Sequence, residues 1–188
     1  SVESWIRTQI STPPPAVSHQ AFLEARLAEL RQTAPNAMLN PDHFIDSWWR
    51  TSVTGQDQLR ERVAFAYSQI FVISLASDVI DPRGAGAYYD MLTANAFGNY
   101  RDILEKVTLN PMMGRYLTFL GNVKEDAAGT RTPDENYARE VMQLMTIGLF
   151  QLNPDGTPKR DLSGKPLASY TQADISGLAK VFTGWSWY

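Results

Sequence analysis

Five polar residues in one short segment carry the most chemistry in this chain: Glu135, Asn136, Arg139, Glu140 and Gln143. At about 100° per residue, the last four fall within roughly a 100° arc of one helix. Glu140 with a second acid, Asp102 or Asp134, has the residue types for acid–base work. The stripe also fits the solvated face of an amphipathic helix, and Glu135 fits a capping role. The sharper expectation is a buried or cleft-lining network. In it Arg139 is mostly buried and bonded to a carboxylate or to backbone carbonyls, with Asn136 and Gln143 completing the set.

Other chemistry-bearing residues are scattered. Trp48, Trp49, Trp185 and Trp187 make a candidate aromatic surface for a sugar or a partner, although indoles at helical spacing more often pack in a core. His19 and His43 each stand at a helix start, without a second histidine at metal spacing. Asn153, Asp155 and Asp161 miss the twelve-residue calcium loop, and no glutamate closes it. Ser68 and Ser74 lie on an apolar stretch with no histidine near in sequence and no Gly-x-Ser-x-Gly elbow. No metal and no cofactor are expected.

The elements that must position these residues read as helices. Around the polar stripe, Thr132 fits an N-cap, Pro133 the first helical position and Glu135 the third, the pattern of a capping box. Gly148 fits the stop. Upstream, 2–10 reads as a short helix, Ser18 caps a second, and Asn40-Pro41-Asp42 starts a third that carries Trp48 and Trp49. A fourth begins near Asp57 and is apolar nearly all round from Val63 to Ile73, which predicts the central, most buried helix. Tyr88 to Ala96, Tyr100 to Leu109 and Pro111 to about Leu120 follow. Arg101/Glu105 and Asp102/Lys106 stand at i,i+4 spacing. Residues 149–168 lack helical period and hold Asn153-Pro-Asp-Gly156 and Ser163-Gly164, so a β-hairpin-like excursion is expected near 149–169. Thr171 with Asp174 caps a last helix. The fold class is all-α: a bundle of about seven to nine helices with one such excursion.

Composition bounds the rest. The 188 residues are 44% hydrophobic, which suits one helical domain over 1–188 with a sizeable core. The net charge of −3, with 17 basic and 20 acidic residues, leaves no electrostatic footprint for nucleic acid. The apolar run at 63–73 falls far short of the roughly 20 residues of a membrane helix. No cysteine is present, so disulfides, thiolate metal sites and cysteine nucleophiles are excluded. Ser1 is no start residue and the C-terminus is aromatic, so a fragment of a longer protein is expected.

Four segments carry a resemblance: Asn95-Ala-Phe-Gly-Asn-Tyr-Arg-Asp102, Pro133-Asp-Glu-Asn-Tyr-Ala-Arg-Glu140, Tyr170-Thr-Gln172 and Phe182-Thr-Gly-Trp185. With Arg60-Glu-Arg-Val-Ala-Phe65 they resemble, in order and spacing, the bacterial family called domain of unknown function 1800. The resemblance implies an exported protein, periplasmic or secreted, without an agreed biochemical role. Relatives often stand beside another exported family, domain of unknown function 1501, which resembles sulfatases in fold. That implies a protein partner of this kind. Many relatives resemble Phe-Trp-His-x-His-Phe where this chain has Ala66 to Phe71, and carry a histidine at Met145. Here the three positions are Ser68, Ile70 and Met145, none a good ligand for zinc or iron. The expectation is therefore a structural or binding module that engages a protein partner or polymer outside the cytoplasm. A hydrolase-like enzyme using carboxylates near Glu140 is the alternative.

Overall fold

The computed structural model describes residues 1–15 and 17–186, and the candidate Trp187 lies outside them. Among the described residues the chain forms nine α-helices and no sheet. It divides into two compact units, Ser1–Tyr116 and Leu117–Tyr188. No helix is long and apolar enough to cross a membrane.

The first unit contains α1 (Val2–Ser11), α2 (His19–Thr33), α3 (Pro41–Thr54), α4 (Gln58–Ser68), α5 (Pro82–Ala94), α6 (Tyr100–Thr108) and α7 (Pro111–Tyr116). The expected caps form. Ser18 accepts from the Ala21 amide, and Asn40 and His43 close a capping box before α3. The two i,i+4 pairs expected on α6 do not form among the described residues; Lys106 donates to Asn95 instead.

Two expectations need correction. The apolar run at 63–73 is not one helix, because α4 stops at Ser68. There the Ser68 hydroxyl donates to the Phe65 carbonyl at 2.7 Å, and the next amides bond back three residues rather than four. Phe71 and Ile73 are still buried, but on irregular chain: the Tyr88 hydroxyl donates to the Phe71 carbonyl at 2.7 Å. The central helix is α5, which packs on α2, α3, α4 and α7. It begins at Pro82, six residues before Tyr88, where the Asp81 carboxylate accepts from the Arg83 and Gly84 amides. Gly86 permits the close approach of α2, since a Cβ there would stand 2.8 Å from Leu23 Cδ1 and 3.2 Å from the Gln20 nitrogen.

The second unit holds α8 (Asn136–Glu140), a π-helical turn over Val141–Met145, and α9 (Gln172–Val181). Ala138 packs on Ile175 and Ala179, with Met142, Tyr170, Leu178 and Phe182 around them. Phe119, Tyr137 and Phe182 form a three-ring cluster, with Phe119 and Tyr137 stacked at 4.2 Å. Asn122 ties the unit together. Its amide donates to the Asp134 and Phe182 carbonyls, and its oxygen accepts from the Asp134 nitrogen.

The expected helix over 132–148 is shorter than its pattern. Asp134, not Thr132, accepts from the Asn136 amide, and Glu135 makes no capping bond. Gly148 does end the segment, with φ +74° and its amide on the Met142 carbonyl. The excursion at 149–169 forms no hairpin ladder. Three isolated antiparallel bridges join Phe150 to Ala168, Leu152 to Pro158 and Arg160 to Pro166. The two prolines at bridge positions have no N–H to extend the pairing. The turns themselves sit where Asn153–Gly156 and Ser163-Gly164 place them, with Gly156 and Gly164 at positive φ.

Candidate functional site

Of the five candidate polar residues, the structure joins Glu135 and Arg139 and places Asn136, Glu140 and Gln143 apart from that pair. Glu135, one residue before α8, is a hub to α9. Its Oε1 accepts from the Ser176 hydroxyl at 2.6 Å, and its Oε2 from Gln172 Nε2 at 2.8 Å and Arg139 Nη2 at 3.0 Å. The Ser176 hydroxyl, then Gln172, then Arg139 hold its carboxyl below the usual range. A cavity of about 260 Å³ opens here, lined by Glu125, Thr132, Pro133, Glu135, Ser176 and Lys180 among others. Lys180 and Glu125 pair at 3.2 Å.

The other four are arranged differently from the expected network. The Arg139 side chain is 41% exposed and pairs with Glu135 on its own segment, not with Glu140. Asn136 is exposed and donates to the Thr118 hydroxyl at 3.0 Å. Gln143 sits on the π-helical turn, whose wider spacing takes it off the 100° stripe. Glu140 is half-buried, and its Oε2 has no hydrogen-bond partner among the described residues. Arg139→Ala should therefore cost no more than about 1 kcal/mol, the scale of an exposed pair, rather than the 3–5 of a broken buried one. Urea unfolding of that variant checks it.

The tryptophans divide between the units. Trp185 lies in the second, is 36% exposed, and its carbonyl accepts from Gly121. Trp48 and Trp49 lie together on α3, edge to face at 4.8 Å, and Trp48 also meets Phe65 of α4 at 5.6 Å. Trp48 is half-buried, and Trp49 does not enter the core as helical spacing suggests. Trp49 is 56% exposed, and Ile45, Val53 and Phe65 are exposed with it. A cavity of about 250 Å³ lies between the two helices, lined by Trp48, Trp49, Ser52, Val53, Arg62 and Phe65. The Arg62 side chain makes no hydrogen bond or ion pair with any described residue. The Ser52 hydroxyl is buried and has no hydrogen-bond partner among the described residues.

Sequence reasoning missed a buried polar cluster in the first unit. His19, Ser47, Asp57, Arg60, Glu61 and Thr93 are all under one-tenth exposed. Asp90 of α5 accepts from the His19 and Gln20 amides at 2.8 and 2.9 Å and so caps α2 from outside. His19 Nδ1 and the Ser47 hydroxyl share a bond of 2.9 Å. Arg60 donates to the Thr93 and Thr12 carbonyls and lies over the Phe97 ring at 4.8 Å. Glu61 Oε1 and Asp57 Oδ2 have no hydrogen-bond partner among the described residues. Burial, then the charges of Asp57 and Asp90, push the Glu61 carboxyl up to about 7. Burial lowers His19 against the pull of Asp90 and Asp57. His19 is thus no surface cap, whereas His43 is a half-buried capping residue. The one signal available was the position of Arg60 and Glu61, one and two turns before Ala64 and Ser68 on the same inward face.

Among the described residues, no three His, Cys, Asp or Glu side chains gather where they could hold a metal ion. The family described as protein of unknown function (DUF1800) matches residues 1–188. No curated protein and no solved structure matches the chain.

Proposed function

The chain belongs to the DUF1800 family, and we propose that it is a binding module that engages a macromolecular partner outside the cytoplasm through the aromatic face of α3 and α4. One observation carries this reading. Ile45, Trp49, Val53 and Phe65 remain exposed around a concave floor, beside an uncommitted guanidinium. Contiguous apolar surface of this kind marks interaction sites, and Trp and Arg are the residue types that dominate them. The exposed apolar residues of α1, Val2, Trp5, Ile6 and Ile10, share their helix with Arg7, whose guanidinium is already paired with Glu3 at 2.8 Å. Placement outside the cytoplasm, and a sulfatase-like exported partner, are supported by the family resemblance.

A photo-crosslinking residue at Val53, 70% exposed, tests it in the producing cell against a control at the fully exposed Leu162. The expected result is a discrete adduct from position 53 and none from 162. No adduct, or equal adducts from both, contradicts the reading.

The unpartnered Glu140 oxygen supports the second reading, a hydrolase-like use of carboxylates there. The two separate on Glu140→Gln. A binding module keeps its adduct and loses nothing else, whereas an enzyme loses turnover.

A further inference from the structure

The α3–α4 face also says what kind of surface would cover it. Ile45, Trp49 and Val53 recur every fourth residue and so form one continuous ridge along α3, away from the side that buries Phe44 and Ser47. Arg62 and Phe65 of α4 stand opposite, and Trp48 and Ser52 lie between. The result is a groove between two helices.

Three features select its occupant. First, the amides and carbonyls of both walls are spent inside their own helices, so the groove offers no edge to an extended chain. A ligand held here must satisfy its own backbone, which a helix does. Second, the groove is mostly indole, phenyl and aliphatic. Its polar offer is the Arg62 guanidinium and a Ser52 hydroxyl that is already buried. A sugar ring would lay most of its hydroxyls against apolar carbon, at a cost no partner here offsets. The cavity of about 250 Å³ instead suits an apolar side chain or two entering from a ridge. Third, Arg62 has no counter-charge among the described residues, and an uncommitted guanidinium at the edge of an apolar groove is complementary to a carboxylate.

We propose that this groove receives an amphipathic α-helix of a partner protein, apolar along one seam and bearing a carboxylate beside it to meet Arg62. The inference rests on the binding-module reading and names the chemistry of the partner.

The test uses the chain itself and three fluorescent peptides of about 20 residues, long enough to be helical. The first has a leucine seam flanked by glutamates, the second the same seam flanked by lysines, and the third scrambles the first. Anisotropy should show the glutamate-flanked helix binding about tenfold tighter than its scramble, with the lysine-flanked one weaker. Trp49→Ala and Val53→Glu should each cost about tenfold, and both positions are exposed enough for the variants to fold. Arg62→Glu should reverse the order of the glutamate and lysine peptides. Equal binding of the scrambled peptide, no loss in Trp49→Ala, or an unchanged order in Arg62→Glu overturns the proposal. So does self-association of the chain that Trp49→Ala abolishes, which would assign the face to a second copy. If the Val53 adduct forms in cells while the helical peptides show no preference, the helix is wrong and the binding face stands. If the adduct is also missing, both fall.

Discussion

Tyr137→Ala should destabilise the second unit by about 3–5 kcal/mol, the range for removing a buried aromatic side chain. Tyr137 is 1% exposed, stacked on Phe119 at 4.2 Å and edge-on to Phe182 at 4.9 Å. The neighbouring core is thin, built on Ala138, Ile175 and Ala179. It cannot collapse into the space of a lost ring, so most of the cavity would persist. Phe119 and Phe182 also lose their pairing with the Tyr137 ring, worth about 0.5–1.5 kcal/mol per pair beyond buried area. Because α8 is only five residues long, it depends on this packing rather than on its own propensity. Near-UV circular dichroism during urea unfolding reads the effect, and a loss under about 1 kcal/mol would contradict this account of the unit.

The second large effect is pH-dependent. Glu61 keeps its proton to about pH 7 in the folded chain, whereas its ordinary value is 4.5. Between those values folding takes up a proton, so the stabilisation present below about pH 4.5 is lost as pH rises toward 7. The difference amounts to about 3 kcal/mol at 1.36 kcal/mol per unit. His19 acts in the opposite direction. Its folded value lies below 6.5, so the unfolded chain binds a proton there that the folded chain refuses, and stability falls on acidification. Glu61→Gln should remove the alkaline limb and leave the acid one. The variant should gain on the wild type progressively from pH 5 to pH 8, by about 2–3 kcal/mol at the upper end. Parallel profiles for the two proteins would show that Glu61 ionises freely.

Features set within one or two turns were legible in the sequence. Ser18, Asn40 and the Thr171–Asp174 box act on amides three residues away, and each works as its spacing implies. Features set by a distant element were not. Thr132 and Glu135 have the local spacing of a capping box, but α9 brings Gln172 and Ser176 to the Glu135 carboxylate and Asp134 takes the cap. Arg60 and Glu61 read only as the opening of the fourth helix, because nothing nearby in sequence shows Thr93, Thr12 and Phe97 closing over Arg60. Gly84 and Gly86 hid the start of α5, where low helix propensity is overridden by contact with Met112 of α7 and Leu23 of α2. α3 misled in the other direction. It carries apolar residues on two sides, and periodicity alone does not say which side the fold leaves open.

Trp49→Ala measured against the Val53 adduct tests the central claim, that the α3–α4 groove is the binding face. The variant should unfold within about 1 kcal/mol of the wild type, since Trp49 is 56% exposed. In the same cells its Val53 adduct should fall about tenfold, the loss of a hot-spot indole. An adduct of undiminished yield from a folded Trp49→Ala chain would contradict the account.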